Sequence, residues 1–257
     1  VKGGEMSDTA AERRYVQRFS LYRIIEHWLV AVVFIVLVAT GLSQKFYEFE
    51  LSQWFVITLG GIDMVRLVHR VNGVIFALLM AQHVFVASYG VLFRKWRPSI
   101  LISRKDFQDA IDNLKYYFGL TNRPARCDRY DYKQKFEYWG IIAGGLIMIA
   151  TGLTLWFPIF VARFLPGSII PAAKALHTNV ATMIFLIIAI WHIYNSIFSP
   201  EVFPLDTVIF TGKIPLDRMK REHPEEYERI FGIPPEEGED EMLSSGDFAE
   251  ERRQESS

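Results

Sequence analysis

Thiols are nearly missing from this 257-residue chain, in which Cys127 is the one cysteine. These residues therefore hold no internal disulfide, no CxxCH attachment for a c-type haem and no cysteine-bound iron–sulfur cluster. Cys127 reads as an incidental free thiol. Carboxylates are scarce where the chain is most apolar. Four long runs, residues 24–43, 71–93, 138–162 and 175–198, contain one acidic side chain between them, Glu26, in the first turn of the first run. A basic surplus is also lacking. The net charge is −1, and no nucleic-acid partner is expected.

What is present is hydrophobic surface: 51 % of the residues are hydrophobic and 14 % aromatic. Each of the four runs can cross a hydrocarbon layer about 30 Å thick as a helix. The expected fold class is all-α, a four-transmembrane-helix bundle. Lysine and arginine set its orientation. Lys2, Arg13, Arg14, Arg18 and Arg23 precede the first span, and eleven basic residues lie between Arg94 and Lys135. The two other loops hold few, Lys45 and Arg66 in one and Arg163 and Lys174 in the other. Both termini and the middle loop are expected in the cytoplasm. The first span follows basic residues and ends in Ala39-Thr40-Gly41, but its length and the three later spans make it an uncleaved anchor.

The organisation expected is a cytoplasmic N-terminal segment over residues 1–20, a membrane domain over 21–200 and a cytoplasmic C-terminal tail over 201–257. The pattern between Tyr15 and Ile25 is amphipathic, as for a helix entering from the interface. The stretch LSQWFVITLGGI is too short to span and reads as a packed or interfacial segment. SRKDFQDAIDNLKYYFGL, with Ser103 as N-cap, predicts a helix lying along the cytoplasmic membrane surface. Pro158, Pro166 and Pro171 should break the second outer loop, and the last twenty or so residues read as disordered.

Histidine carries the chemistry. An imidazole inside a membrane is costly unless something uses its lone pair. In the fourth run His177 and His192 lie roughly 22 Å apart along a helix and within roughly 60° of one face. His69, at the outer boundary where the second span opens, and His83 within it repeat the arrangement, and His27 sits at the inner end of the first. By depth, His69 and His177 form an outer pair that could ligate a haem b. At the inner level His192 pairs with either His27 or His83. Two axial imidazoles leave iron no open position, so such a site carries electrons. Zinc is a poor fit, because no three of these residues are close in sequence and no thiol accompanies them. His223, in the tail, suits a structural or docking role.

EHW with a glycine fourteen residues on, LVHRVNG, YDYKQKFEYW, ALHTNVAT, WHIY and REHPEEYE together resemble the cytochrome b (gamma) subunit of membrane-bound formate dehydrogenase. The nickel–iron hydrogenase cytochrome b and the bacterial cytochrome b561 group look similar. The resemblance covers most of residues 15–230. It implies two haems b, one held by His27 with His192 and one by His69 with His177, in a bacterial or archaeal cytoplasmic membrane. His83 has no counterpart in that gamma subunit; it would line the inner haem or a quinone pocket, or replace His27 as ligand. A third haem would be short of ligands. The resemblance also places menaquinone, or ubiquinone, beside the segment leading into the third span, here Asp131, Lys133 and Gln134. Asp131 stands where the family has an asparagine.

The chain would then be the quinone-reacting subunit of a larger oxidoreductase. Its catalytic and iron–sulfur or multihaem subunits would be other polypeptides. Two other readings are a quinol-oxidising cytochrome b that feeds a multihaem cytochrome, and a haem-free membrane anchor.

Overall fold

The computed structural model describes residues 15–232. The N-terminal fourteen residues and the C-terminal tail from 233, including the stretch expected to be disordered, lie outside the described residues. Elements follow in the order β1 (Tyr15–Gln17), α1 (Leu21–Lys45), α2 (Glu50–Thr58), α3 (Ile62–Phe93), α4 (Arg104–Tyr117), α5 (Tyr132–Trp156), α6 (Pro158–Val161), α7 (Ile169–Leu186), α8 (Val208–Thr211), β2 (Lys213–Pro215), α9 (Leu216–Glu222) and α10 (Pro224–Phe231). After α7 the helix continues in wider, π-type turns over Ile187–His192 and Tyr194–Phe198. β1 and β2 pair as a two-stranded sheet. Four helices are long and apolar enough to cross a membrane: Leu21–Lys45, Ile62–Phe93, Tyr132–Trp156 and Ile169–Phe198.

The helix ends differ from the apolar runs for local reasons. Residues 15–17 are strand, and the first helix begins only after Ser20, whose side chain accepts from the Arg23 amide at 3.4 Å. The second helix starts at Ile62, nine residues before its apolar run. Hydropathy locates greasy residues, whereas the helix begins where the left-handed Gly60 and Gly61 end the preceding turn, at φ +95° and +98°. The third stops at Trp156 rather than 162. Pro158 cannot donate to residue 154, so the chain breaks at Phe157 and restarts with that proline in the first turn of α6. Pro171 breaks nothing. It is the third residue of α7, where an amide would have no partner in the helix anyway.

The chain divides into two compact units. One comprises residues 17–98 and 133–213 and holds the four long helices. In it α1 packs along α3 and against α7. A Cβ on Gly144 would meet Ile184 Cδ1 at 2.7 Å, so these glycines let side chains from other helices sit on the α5 backbone. Lys45 ties the end of α1 to α7 by donating to Thr182 Oγ1 at 2.7 Å.

The other unit, within the described residues, comprises 15–16, 99–132 and 214–232. Its α4 opens with the Ser103 amide donating to Asp106 at 2.6 Å, the reciprocal bond of a capping box. Phe107, Ile111, Leu114 and Phe118 form an exposed apolar stripe at i, i+4, i+7 and i+11. Cys127 is buried in this unit. His223 is buried too, with Nδ1 2.8 Å from the Asp128 carbonyl, and holds the junction of α9 and α10. Glu226 is a buried anion of this unit, 2 % exposed, with Arg129 Nη1 at 2.8 Å and Arg229 Nη2 at 3.7 Å. Burial alone would lower the Arg129 pKa, but Tyr130 and Glu226 reverse that and raise it above the ordinary value. Glu226→Ala therefore removes the buried carboxylate that Arg129 and Arg229 share and should destabilise this unit by about 2 kcal/mol. Faster amide exchange in α9 and α10, with exchange in the long helices unchanged, is the expected readout.

Candidate functional site: two facing pairs of membrane histidines

His69 on α3 faces His177 on α7, with ring centroids 6.3 Å apart. Each ring is held from behind in the same way. Thr40 Oγ1 on α1 lies 2.9 Å from His69 Nδ1, and Thr151 Oγ1 on α5 lies 2.9 Å from His177 Nδ1. Both hydroxyls donate their own proton one turn back, Thr40 to the Val36 carbonyl at 2.7 Å and Thr151 to Ile147 at 2.6 Å. Each threonine can then only accept from its imidazole. That puts the proton on Nδ1 and leaves the Nε2 lone pair unprotonated. The next residue in each case is glycine. A Cβ on Gly41 would lie 3.3 Å from His69 Cε1, and one on Gly152 would lie 3.4 Å from His177 Cε1.

At the other level His27 on α1 faces His192, with ring centroids 6.2 Å apart and the planes tilted by 32°. His192 Nδ1 is 2.6 Å from Glu137 Oε1 on α5. His27 Nδ1 is buried with no hydrogen-bond partner, alone in this among the buried side-chain polar atoms described. Fifteen residues separate His177 from His192, which on a regular α-helix leaves them roughly 60° apart around the axis. The helix winds in wider, π-type turns over Ile187–His192, so the angle expected on a regular helix does not carry over to His192.

A central metal bound by one nitrogen of each ring, at about 2 Å per bond, sets the two imidazole centroids roughly 6 Å apart. Both pairs meet that spacing, and the threonine contacts favour the required tautomer in the His69–His177 pair. The residues present fit a pair of bis-histidine irons.

His83 is differently engaged. Its Nδ1 lies 3.1 Å from Glu26 Oε1 and 3.2 Å from Arg23 Nη1, and its Nε2 lies 2.9 Å from the Tyr138 hydroxyl. Glu26 is 8 % exposed, and Arg23 reaches it at 2.6 Å. Gln82 joins the cluster through the hydroxyl of Tyr22. Lys133 and Gln134 lie in the first turn of α5, one to two turns before Tyr138, while Asp131 precedes the helix in the other unit.

Thr40, Thr151, Glu137 and Tyr138 were not singled out by the sequence reading as partners of histidine. A signal existed for the first two: the tetrapeptide ATGL occurs twice, at 39–42 and 150–153, once in each helix that supports the pair.

Residues 18–207 match the family model described as prokaryotic cytochrome b561. The formate dehydrogenase cytochrome b556(fdo) subunit of Escherichia coli K12 is 25 % identical over 219 residues, covering 85 % of this chain and 94 % of that one. The nitrate-inducible formate dehydrogenase cytochrome b556(Fdn) subunit of the same strain is 25 % identical over 205 residues, 79 % of this chain and 86 % of that one. The formate dehydrogenase cytochrome b556 subunit of Haemophilus influenzae is 24 % identical over 170 residues, 66 % of each chain. With a match across most of its length, and with apolar helices and histidines suited to such a protein, the chain belongs to the prokaryotic cytochrome b561 family.

Proposed function

We propose that this chain is the di-haem cytochrome b subunit of a respiratory oxidoreductase of the formate dehydrogenase kind. It would carry electrons between a redox partner on the outer face of a bacterial or archaeal cytoplasmic membrane and a quinone near the inner face. His69 and His177 hold the outer haem b, and His27 and His192 the inner one. The observation that carries the reading is the pair of facing imidazoles at each of two depths, 6.3 Å and 6.2 Å between centroids. Two bis-histidine irons supply one-electron steps through an otherwise insulating layer. The relatives' names support a catalytic subunit as neighbour, and an iron–sulfur or multihaem subunit would deliver the electrons. The bias of lysine and arginine supports cytoplasmic termini, and the exposed stripe of α4 supports its lying on the inner membrane surface.

The inner ligand in this reading is His27, because both ring nitrogens of His83 already have protein partners. His83 instead belongs with Asp131, Lys133 and Gln134 in the quinone region. Converting a quinone to a quinol takes two electrons and two protons, and this inner end of the bundle has carboxylate, imidazole and phenol groups in hydrogen-bonded sequence: Glu26, His83 and Tyr138. The solubilised native complex should give a dithionite-minus-air difference spectrum with a sharp alpha band and two haems b per copy of this chain. A colourless complex would make the chain a haem-free anchor and end this reading.

A further inference from the structure

The two histidine pairs differ in what stands behind them. At the outer level both Nδ1–H groups rest on neutral hydroxyls, Thr40 and Thr151, whose own protons are committed to carbonyls. At the inner level His192 Nδ1 meets a carboxylate, Glu137 Oε1, at 2.6 Å. The Glu137 side chain is 14 % exposed, and His192 is its one ion-pair partner among the described residues. Among the described residues no lysine or arginine forms an ion pair with it. A carboxylate seldom sits in a membrane helix without a use, and this one is aimed at an imidazole rather than outward.

A carboxylate that accepts the Nδ1 proton draws it toward oxygen and gives the ring part of the electron density of an imidazolate. A hydroxyl does so far less. A more basic axial ligand, with an anion behind it, stabilises ferric iron more than ferrous. We infer that Glu137 is a positioning residue that sets the inner haem at a lower midpoint potential than the outer one, an inference that rests on the axial-histidine reading above. The inner haem, once reduced, is then the stronger donor to a quinone, and the pair forms a step in potential across the membrane. The threonine-backed outer pair supplies the internal reference: its two imidazoles have nearly the same spacing, and the inner pair differs in the carboxylate behind His192 and in the unpartnered Nδ1 of His27.

The test is an equilibrium redox titration of the purified haem-loaded complex, followed at the alpha band. The wild type should show two one-electron waves, and the wave lost in His192→Ala identifies the inner haem. That wave should be the lower one. Glu137→Gln keeps the acceptor oxygen and removes the charge. It should raise the lower wave by a tenfold or larger change in the reduction equilibrium, about 59 mV for one electron, and leave the upper wave in place. Thr151→Val should move only the upper wave.

The inference is overturned if the wave lost in His192→Ala is the higher one. It is overturned equally if Glu137→Gln retains both haems and shifts neither wave. In both cases the axial-histidine reading survives. Should Glu137→Gln shed the inner haem, the wild-type order of the waves decides. A complex without haem removes both readings together.

Discussion

Alanine at His27 should strip one haem from the complex, and alanine at His83 should strip none. His27 faces His192 at 6.2 Å with a buried Nδ1 that no protein group satisfies. His83 is held at both nitrogens, by Glu26 and Arg23 on one side and Tyr138 on the other. If His27 and His192 hold the inner haem, removing His27 would leave that haem one protein ligand short and release it. The pyridine haemochrome of the purified complex would fall from two haems per chain to one for His27→Ala and stay at two for His83→Ala. Quinone reduction should fail in both variants, in the first because the electron path is cut and in the second because the inner polar cluster is broken. The opposite haem counts would transfer the ligand role to His83.

Valine at Gly41 or Gly152 should empty the outer site almost as completely as alanine at His69 or His177. A Cβ at Gly41 would lie 3.3 Å from the His69 ring and one at Gly152 3.4 Å from that of His177, already in contact, so the two further methyl carbons of valine press on the ring. The ring must swing off its threonine, which costs the tautomer lock and the alignment together. Thr40→Val and Thr151→Val separate these effects, because they keep the shape and remove only the acceptor. A lost partner of this sort typically weakens metal binding by about 10- to 100-fold. Haem retained on dilution in detergent, measured for each variant, should rank wild type above the threonine variants and those above the glycine variants. Equal retention across the set would mean that the threonines and glycines are merely packing.

Much of the architecture was legible because it is written in short range. Four apolar runs of about twenty residues, with one carboxylate between them, mean four crossings, since every backbone amide in lipid must bond within its own helix. Ser103 with Asp106 three residues on announces a helix start by local chemistry, and that helix is present. The helix ends were less legible. The polar first turns of Ile62–Phe93 carry no hydropathy signal, and Pro171 is a breaker or a tolerated first-turn residue depending on where the helix begins.

Of the site, the sequence by itself determined which imidazoles share a depth, because depth follows from residue count along a helix of known rise. It left His27 and His83 as rivals, since two residues at one depth on different helices differ only in azimuth. Azimuth depends on how helices pack and wind. The wide turns ending at His192 change the azimuth of that ring from its value on a regular helix, and it faces His27, while the packing of α1 along α3 brings His83 to Glu26. Tertiary structure alone decided the groups behind the rings: Thr40, Thr151 and Glu137 lie 29, 26 and 55 residues from the histidines they hold. A hydrogen bond is satisfied by position in space, and chain separation of that size carries no local pattern from which to read it.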